Sequence, residues 1–392
     1  SAACGLAPST EVLIAGRALQ GVGGALLTPG SLALISASFD GKDRAAAIGA
    51  WSGLGGIAAA IGPFIGGFLV EFNWRAVFLI NLPLAAIIVA VTVRHVPESR
   101  DPAAPDRLDL SGAALTVVGL GALTYGLTEV GNHGATSAAV ASICVGVLAL
   151  VSFVLVERRS PHPLVAPKLF TNNNFRVANL MTLLIYGALG AVFLLLVLQL
   201  QTVAGFSPVA AGTALLPFTA VMLAFSSRAG GLSSRIGPRL PMTLGPLIAA
   251  AGLLLMTRIG ADASWVFDVA PAAVVFGTGM VLVVAPLTST VLDSAPANMA
   301  GSASGVNNAV ARAGGLLAVA VLPGLVGISG ADYTDPAAFD AGFHTAVMVS
   351  AGLMVAAAAM AAVGIRRTSR VHDEDRIAVE SCTHCAITGL PA

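Results

Sequence analysis

Long apolar stretches separated by short polar connections run along the whole chain. The stretches without a charged residue are 45–70, 76–93, 110–128, 130–156, 177–227, 240–257, 269–292 and 341–365. A membrane-spanning helix needs about 20 mostly apolar residues. The stretch 177–227 is long enough for two, with a turn predicted at Gly205-Phe206-Ser207-Pro208. Residues 12–39 and 300–325 are two more, each with one arginine inside. We predict eleven complete transmembrane helices, preceded at residues 1–7 by the end of another helix.

The composition indicates a membrane protein rather than a soluble one. Charged residues make up only 10% of the chain and hydrophobic residues 56%, whereas soluble domains carry roughly 25% charged residues. The runs are continuous and lack the roughly ten-residue alternation of a membrane β-barrel, so the predicted fold is all-α. The net charge is zero, which gives no basic surface for nucleic acid.

The basic residues predict the orientation in the membrane. If residues 8–11 lie outside the cell, sixteen lysines and arginines fall in the inside connections and tail, and only Arg75 and Arg258 in the outside loops. Positive charge is concentrated on the cytoplasmic side of membrane proteins. We therefore expect a multi-pass protein of the cell (inner) membrane with a cytoplasmic C-terminus.

Two polar, proline-rich segments, 97–107 and 157–174, divide the chain. They bracket a two-helix hairpin, with three complete spans before it and six after it. The predicted domains are 1–96, a remainder of an N-terminal helical bundle; 97–174, a linker with the inserted hairpin; 175–365, a C-terminal six-helix bundle; and 366–392, a cytoplasmic tail.

Arg17 is the first charged residue that lies inside a predicted span. It shares a helix face with Gln20, three residues on, and Gly21 with Ala25 forms a small-xxx-small pair that lets a neighbouring helix approach. A charge at membrane depth commonly marks a substrate or ion pathway. Arg17 alone is equally well explained by a side chain that reaches the outer interface.

A second candidate feature is the run Gly62-Pro63-Phe-Ile-Gly66-Gly67, preceded by Gly53. Pro63 has no N–H to donate and clashes with the carbonyl four residues before it, which bends a helix. Gly62 and Gly66 lie on one face, so the bend is expected to pack against a close partner. Ordinary glycine packing in a membrane is the simpler alternative.

Taken in order, these motifs resemble the major facilitator superfamily, and more closely its fourteen-helix drug:proton antiporters. The run from Arg17 to Ala25 is similar to the fourth-helix motif, and Gly53 with Gly62–Gly67 to the antiporter motif of the fifth helix. The inserted hairpin is typical of the same group. Later segments are similar to its ninth and thirteenth helices: Leu198-Gln199-Leu200-Gln201, Ser304-Gly305-Val306-Asn307-Asn308 and Arg312-Ala-Gly314-Gly315.

The resemblance implies which residues line the cavity or couple transport. They are Arg17, Gln20, Gly21, Gln201, Asn307, Asn308 and Arg312. For Asn307 and Asn308, hydrogen bonding between helices is an equal alternative. Residues 231–239 resemble the superfamily's cytoplasmic loop through Arg235, Gly237 and Arg239, but Ser234 stands where the motif has an acid and Pro238 where it has a base. A gating salt bridge and a simple basic turn therefore remain equally open.

The implied function is proton-coupled export of hydrophobic or amphipathic small molecules by two helical halves that alternate in access. Arginine does not deprotonate, and no carboxylate lies deep in a span, so we expect the proton-carrying acid in a segment before residue 1. The chain is expected to lack its first helices. The alternatives are a facilitator of another substrate class, such as a lipid or metabolite, and a transport-inactive fragment.

Other functional classes are not expected. We predict no enzyme activity and no cofactor, with a small-molecule substrate, protons and the lipid bilayer as partners of a monomer. Cys382-Thr-His384-Cys385 is a lone C-x-x-C in a polar tail. Structural zinc needs four ligands, so no metal site is predicted there.

Overall fold

The computed structural model describes residues 1–38, 58, 61–62, 65–96, 109–160, 165, 167–296 and 299–366. The helices in this part of the chain are α1 (Ala2–Gly5), α2 (Thr10–Ser38), α3 (Ala76–Leu79), α4 (Asn81–His95), α5 (Leu110–His133), α6 (Ser137–Arg159), α7 (Asn173–Thr202), α8 (Pro208–Thr213), α9 (Leu216–Ile236), α10 (Arg239–Met256), α11 (Ala270–Asp293), α12 (Ala300–Leu325) and α13 (Pro336–Gly364). Two 3₁₀ helices, Pro167–Thr171 and Gly330–Thr334, and a π-helix, Trp265–Val269, complete them.

The prediction of an all-α polytopic membrane protein is confirmed. Within the described residues, nine helical segments are long and apolar enough to cross a membrane. The predicted span at 12–39 forms the 29-residue helix α2, which is not one of these nine. The predicted span at 45–70 lies largely outside the described residues.

The predicted turn in the long apolar stretch 177–227 is also confirmed. Helix α7 ends at Thr202, and Gly205 then adopts a positive φ of 67°. The Ser207 side chain caps α8 by accepting a hydrogen bond from the N–H of Ala210, and Pro208 stands at the first helical position, where its missing N–H costs nothing.

Helices α7 to α13 share one hydrophobic core. Helix α10 packs against α11 and α13, α7 packs against α12 and α13, and α9 packs against α11. Phe193 of α7, Phe218 of α9 and Phe276 of α11 form an aromatic cluster in this bundle, with ring centroids 5.4 to 6.3 Å apart. Phe218 stacks on Phe276, and Phe193 meets both rings edge to face. Half or more of the apolar window of α7, α10 and of Trp265–Asp293 is buried.

Three consecutive asparagines at the start of α7 form hydrogen bonds with the ends of other helices. Asn172 donates to the carbonyl of Ser294, Asn173 to that of Gly364, and Asn174 to that of Arg366, at 2.9 to 3.0 Å. The ends of α11 and α13 are thereby held beside the start of α7, which satisfies carbonyls that a helix end leaves open.

The predicted hairpin consists of α5 and α6, which pack against each other along their length. Asp109 caps α5 and Thr136 caps α6 through side-chain hydrogen bonds to the N–H of the third residue on. The hairpin contacts α12 where Gly131 meets Gly324: a Cβ built on Gly324 would lie 2.6 Å from the Gly131 Cα. The division of the chain into four domains stays a prediction.

The N-terminal elements pack through small residues and one arginine. A Cβ on Gly5 would lie 2.6 Å from the Leu79 side chain, and one on Gly16 would lie 3.0 Å from the Cys4 sulfur. The Arg75 guanidinium donates to the carbonyl of Ala7 at 3.1 Å. Helix α1 is therefore fixed against both α2 and α3.

Candidate functional site

Arg17 and Gln20 lie together on α2, as their spacing predicts. Nη1 of Arg17 donates to Oε1 of Gln20 at 2.7 Å, and Nε2 of Gln20 donates to the Ser1 hydroxyl at 2.8 Å. The Arg17 side chain is exposed, and its guanidinium carbon lies 5.8 Å from the centre of the Phe78 ring. Among the described residues no carboxylate pairs with Arg17. The Gln20 amide orients its guanidinium, and no described acid neutralises its positive charge.

Gly21 and the first two glycines of the fifth-span motif show no close helix contact. No heavy atom of the described residues lies within 4 Å of a Cβ built on Gly21, Gly62 or Gly66. Gly53 and Pro63 lie outside the described residues, so the predicted bend does too. The close approach expected at Gly62 and Gly66 therefore stays a prediction.

Gly67 makes a close contact. A Cβ on Gly67 would lie 2.6 Å from the Pro208 carbonyl oxygen and 3.2 Å from the Val209 Cα. Both neighbouring atoms belong to the backbone and have no side-chain freedom to move away. The motif therefore joins residues 65–72, just before α3, to the start of α8.

A polar layer joins α7 to α12. Nδ2 of Asn307 donates to Oγ1 of Thr182 at 2.7 Å and to Oδ1 of Asn179 at 3.3 Å. Asn179 and Thr182 are buried, and each also donates to a carbonyl of its own helix. Of the two roles open for Asn307, the geometry favours hydrogen bonding between helices.

Asn308 and Arg312 face away from this layer. Asn308 is exposed, and its one hydrogen bond to a described residue goes to the carbonyl of Ser304, one turn back. Arg312 is exposed one turn further on. Helices α7 and α12 cross closely beside them, since a Cβ on Gly190 would lie 2.8 Å from the Gly315 Cα. Asn308 and Arg312 thus occupy the open face of a rigidly packed helix pair.

Gln201 is not joined to the polar groups above. It is half-buried near the end of α7, whereas Gln199, two residues earlier, is completely buried and bonded to Asp340. The sequence predicts a role for Gln201 and not for Gln199, because leucines alternate with both glutamines and the pattern does not show which one is buried.

The loop between α9 and α10 has the predicted turn. Gly237 adopts a positive φ of 85°, a conformation that glycine takes without strain. The Arg239 guanidinium donates to the carbonyl of Ala362 on α13, so this basic residue ties two helix ends. The Arg235 side chain lies outside the described residues.

The carboxylates nearest the spans lie at helix ends, as predicted for Glu129 and Asp268. Glu129 pairs with His133 at 3.0 Å, and Asp268 with Arg258 at 3.5 Å. Asp340 lies in the second turn of α13, with His344 one turn on. No group of three or more His, Cys, Asp or Glu residues suited to a metal is found where the structure describes the chain; Cys382 and Cys385 lie outside that part.

The helical architecture and the Arg17 motif define a class of membrane transporter, and the sequence profile of the Major Facilitator Superfamily matches residues 1–319. The chain belongs to this superfamily, which confirms the resemblance described above. It is 36% identical over 325 residues to the multidrug resistance protein Stp of Mycobacterium tuberculosis, covering 82% of this chain and 60% of that protein.

Two further relatives are named for single antibiotics. The tetracenomycin C resistance and export protein of Streptomyces glaucescens is 35% identical over 327 residues, with 82% of this chain and 60% of that protein covered. The puromycin resistance protein pur8 of Streptomyces alboniger is 33% identical over 388 residues, with 94% of this chain and 76% of that protein covered. The chain thus spans about 60% of the length of the first two relatives.

Proposed function

We propose that this chain forms part of a secondary transporter that exports hydrophobic or amphipathic small molecules in exchange for protons. The observation that carries the proposal is Arg17: a permanent charge inside a helix of the superfamily, oriented by Gln20 and unpaired with any described carboxylate. Relatives named as multidrug resistance and antibiotic export proteins support the substrate class. We propose a monomer in the cell (inner) membrane with its C-terminus in the cytoplasm.

Arg17 acts in this proposal as a fixed positive charge. Since arginine stays protonated in proteins, it cannot be the group that carries the proton. A positive charge favours the ionised form of a nearby carboxylic acid. Arg17 therefore makes proton release from such an acid easier, and the acid itself is assigned to no described residue.

The contact between Gly67 and Pro208 supports alternating access. It lets the backbone of the segment before α3 touch the backbone of α8, so the two parts meet without intervening side chains. We propose that residues 1–96 and 175–365 belong to the two halves that rock against each other, with 97–174 as the linker and hairpin and 366–392 as the tail. Alternating access in secondary transporters uses motions of this kind.

The remaining site residues divide by their contacts. Asn308, Arg312 and Gln201 are assigned to the cavity, whereas Asn307 holds α7 to α12 and thereby shapes its wall. Gly237 and Arg239 form a basic turn that fixes the cytoplasmic ends of α10 and α13. Arg235, beside them in the sequence, is assigned to the same turn.

Everted membrane vesicles test the proposal. The chain is expressed in an efflux-deficient bacterial host, and its vesicles are energised to acidify the lumen. Addition of puromycin or tetracenomycin C is expected to discharge part of the pH gradient, and a protonophore to abolish accumulation of the compound. Vesicles from the host with empty vector serve as control. Accumulation that persists with the protonophore would indicate a facilitator of another kind, and no accumulation at all would favour the transport-inactive alternative.

A further inference from the structure

Arg312 lies near the centre of α12. It is twelve residues from Ala300 and thirteen from Leu325, which places it roughly 18 Å from the first residue of the helix. The hydrocarbon core of a bilayer is about 30 Å thick, so neither membrane surface is close. A charged side chain at this depth normally faces the bundle interior or a water-filled cavity.

Up to Arg312 the open face of α12 carries small and polar residues, and beyond it Leu316 and Val319 continue the face with exposed apolar side chains. Gly301, Gly305, Asn308 and Arg312 follow one another at spacings of four, three and four residues, which puts them on one helix face, and all four are exposed. Lipid-facing helix surfaces are apolar. The part of the face up to Arg312 is therefore better suited to a cavity that admits polar groups than to lipid.

Two other sides of α12 are already occupied. Asn307 and Gly314 contact α7, where Asn307 bonds Thr182 and a Cβ on Gly314 would lie 2.7 Å from the Leu183 carbonyl oxygen. Gly324 contacts the hairpin at Gly131. The packing fixes the rotation of α12, so Arg312 cannot turn away from the open face.

The charge of Arg312 is unbalanced in its surroundings. Within the described residues it makes no hydrogen bond and no ion pair. The acids of the neighbouring helices lie towards helix ends: Glu129 in α5, Asp293 in α11 and Asp340 in α13. Among the described residues, no anion is paired with Arg312.

We propose that Arg312 binds the anionic group of the transported compound, so that this chain handles amphipathic organic acids such as carboxylates and ionised phenols. The inference rests on the proposed transport function. The guanidinium presents a planar fork of donors that suits a carboxylate, and Asn308, one turn earlier on the same exposed face, carries an amide that can donate a further hydrogen bond. The same anionic chemistry could come from a carboxylate side chain outside the described residues, and the test separates the two sources.

The test compares two probes of equal shape and different charge. Equilibrium dialysis measures binding of 2-naphthoate and of uncharged 2-naphthamide to the chain in nanodiscs at pH 7.5, with empty nanodiscs correcting for partition into lipid. Wild type is expected to bind the acid about tenfold or more tightly than the amide, as a hydrogen bond to a charged group allows. Arg312→Gln should remove that preference and change amide binding less than about twofold, the range of a neutral substitution.

Two variants control for charge and geometry. Arg176→Gln removes the same charge from the exposed start of α7 and should leave both affinities unchanged. Arg312→Lys should retain part of the preference, since it keeps the charge but loses the fork. Size-exclusion chromatography of each variant in detergent checks that it folds.

Three outcomes would overturn the inference. Equal binding of the two probes by wild type, or binding of neither, would contradict an anion-binding site at Arg312. If Arg312→Gln lost thermal stability but kept naphthoate binding, Arg312 would instead form an ion pair with a carboxylate side chain of the protein. In each case, proton-coupled export of an uncharged compound in the vesicle assay would leave the proposed function standing.

Discussion

The side-chain amide of Gln199, completely buried in α7, donates a hydrogen bond of 2.5 Å to Oδ1 of Asp340 in α13. The same nitrogen donates to the carbonyl of Ile259, which follows α10, at 2.8 Å. One side chain therefore connects the ends of three helices. His344, one turn after Asp340, lies 3.9 Å from the other carboxylate oxygen.

We expect Gln199→Leu to destabilise the protein, because it leaves the Asp340 carboxylate and the Ile259 carbonyl without their donor. Loss of a hydrogen bond to a charged group costs about 1.5–3 kcal/mol. Thermal unfolding in detergent, followed by size-exclusion chromatography, measures the effect. Gln201→Leu is the matched control, because Gln201 is half-buried and makes no side-chain hydrogen bond among the described residues. Equal losses of thermal stability in the two variants would show that the hydrogen bonds of Gln199 do not connect the helices in a way that matters for stability.

This pair also shows what the sequence could not reveal. Gln199 and Gln201 stand in the same Leu-Gln-Leu-Gln pattern, and residues two apart on a helix point to different sides. Only the packing of α7 against α10 and α13 tells which of the two is buried. The sequence-based choice of Gln201 alone left out the glutamine with the larger structural role.

We expect Gly67→Leu to impair transport, since its first side-chain atom would lie 2.6 Å from the Pro208 carbonyl oxygen and force the two backbones apart. Gly66→Leu is the control, because a Cβ there meets no atom of the described residues within 4 Å. Export is measured by drug resistance in the efflux-deficient host, with membrane content by immunoblot. If Gly66→Leu were the more damaging of the two, the contact with Pro208 would not be the one that matters.

Arg17→Ala should abolish proton-coupled export while membrane insertion is retained, because the fixed charge that tunes a titrating partner is lost. Arg17→Lys should keep partial export at best, since lysine lacks the donor fork that Gln20 orients. Vesicle exchange and immunoblot are the two measurements. Arg94→Ala, at the end of α4, removes a charge outside the motif and should export normally. Export at the wild-type level by Arg17→Ala would show that the Arg17 side chain only reaches the membrane interface and takes no part in coupling.

The architecture was predictable from the sequence to a large extent, and the contacts were not. Length and continuity of the apolar runs predicted the spans, and Gly205 with Pro208 predicted the break between α7 and α8. These signals act along one helix. Which glycine of the fifth-span motif makes a close approach depends on the neighbouring backbone, so the motif alone does not single out Gly67, where the described contact lies. Likewise, Asn307 and Asn308 are adjacent in the sequence, yet one is tied to α7 and the other is exposed.

We expect residues 97–107 and 158–174 and the tail after 366 to be cytoplasmic, and 329–340 to be outside, from the distribution of lysine and arginine. Single cysteines at 163 and 335, in a background without the four native cysteines, are treated with an impermeant maleimide in intact cells. Labelling is expected at 335 and not at 163. The opposite pattern would invert the topology.

The cap of the hairpin helix α5 predicts a dependence on pH. The main-chain N–H of Gly112 and then the Ser111 hydroxyl donate to Asp109, at 2.8 and 2.5 Å, and lower the pKa of its carboxyl below the ordinary value of about 3.9. A lowered pKa in the folded state means that the charged cap stabilises the protein at pH values above the ordinary pKa. That stabilisation is lost as the pH falls through the lowered value.

The midpoint of thermal unfolding is therefore expected to be higher for wild type than for Asp109→Ala at pH 6, and the difference to shrink progressively below about pH 4. Asp109→Asn keeps an oxygen that accepts from Gly112 but does not titrate, so its advantage over Asp109→Ala should not change with pH. Acids and histidines away from Asp109 titrate alike in all three proteins and cancel in these differences, whereas Glu157, which bonds to Asp109, does not. A wild-type advantage over Asp109→Ala that is the same at pH 6 and pH 3 would show that the ionised carboxylate adds nothing to the neutral cap.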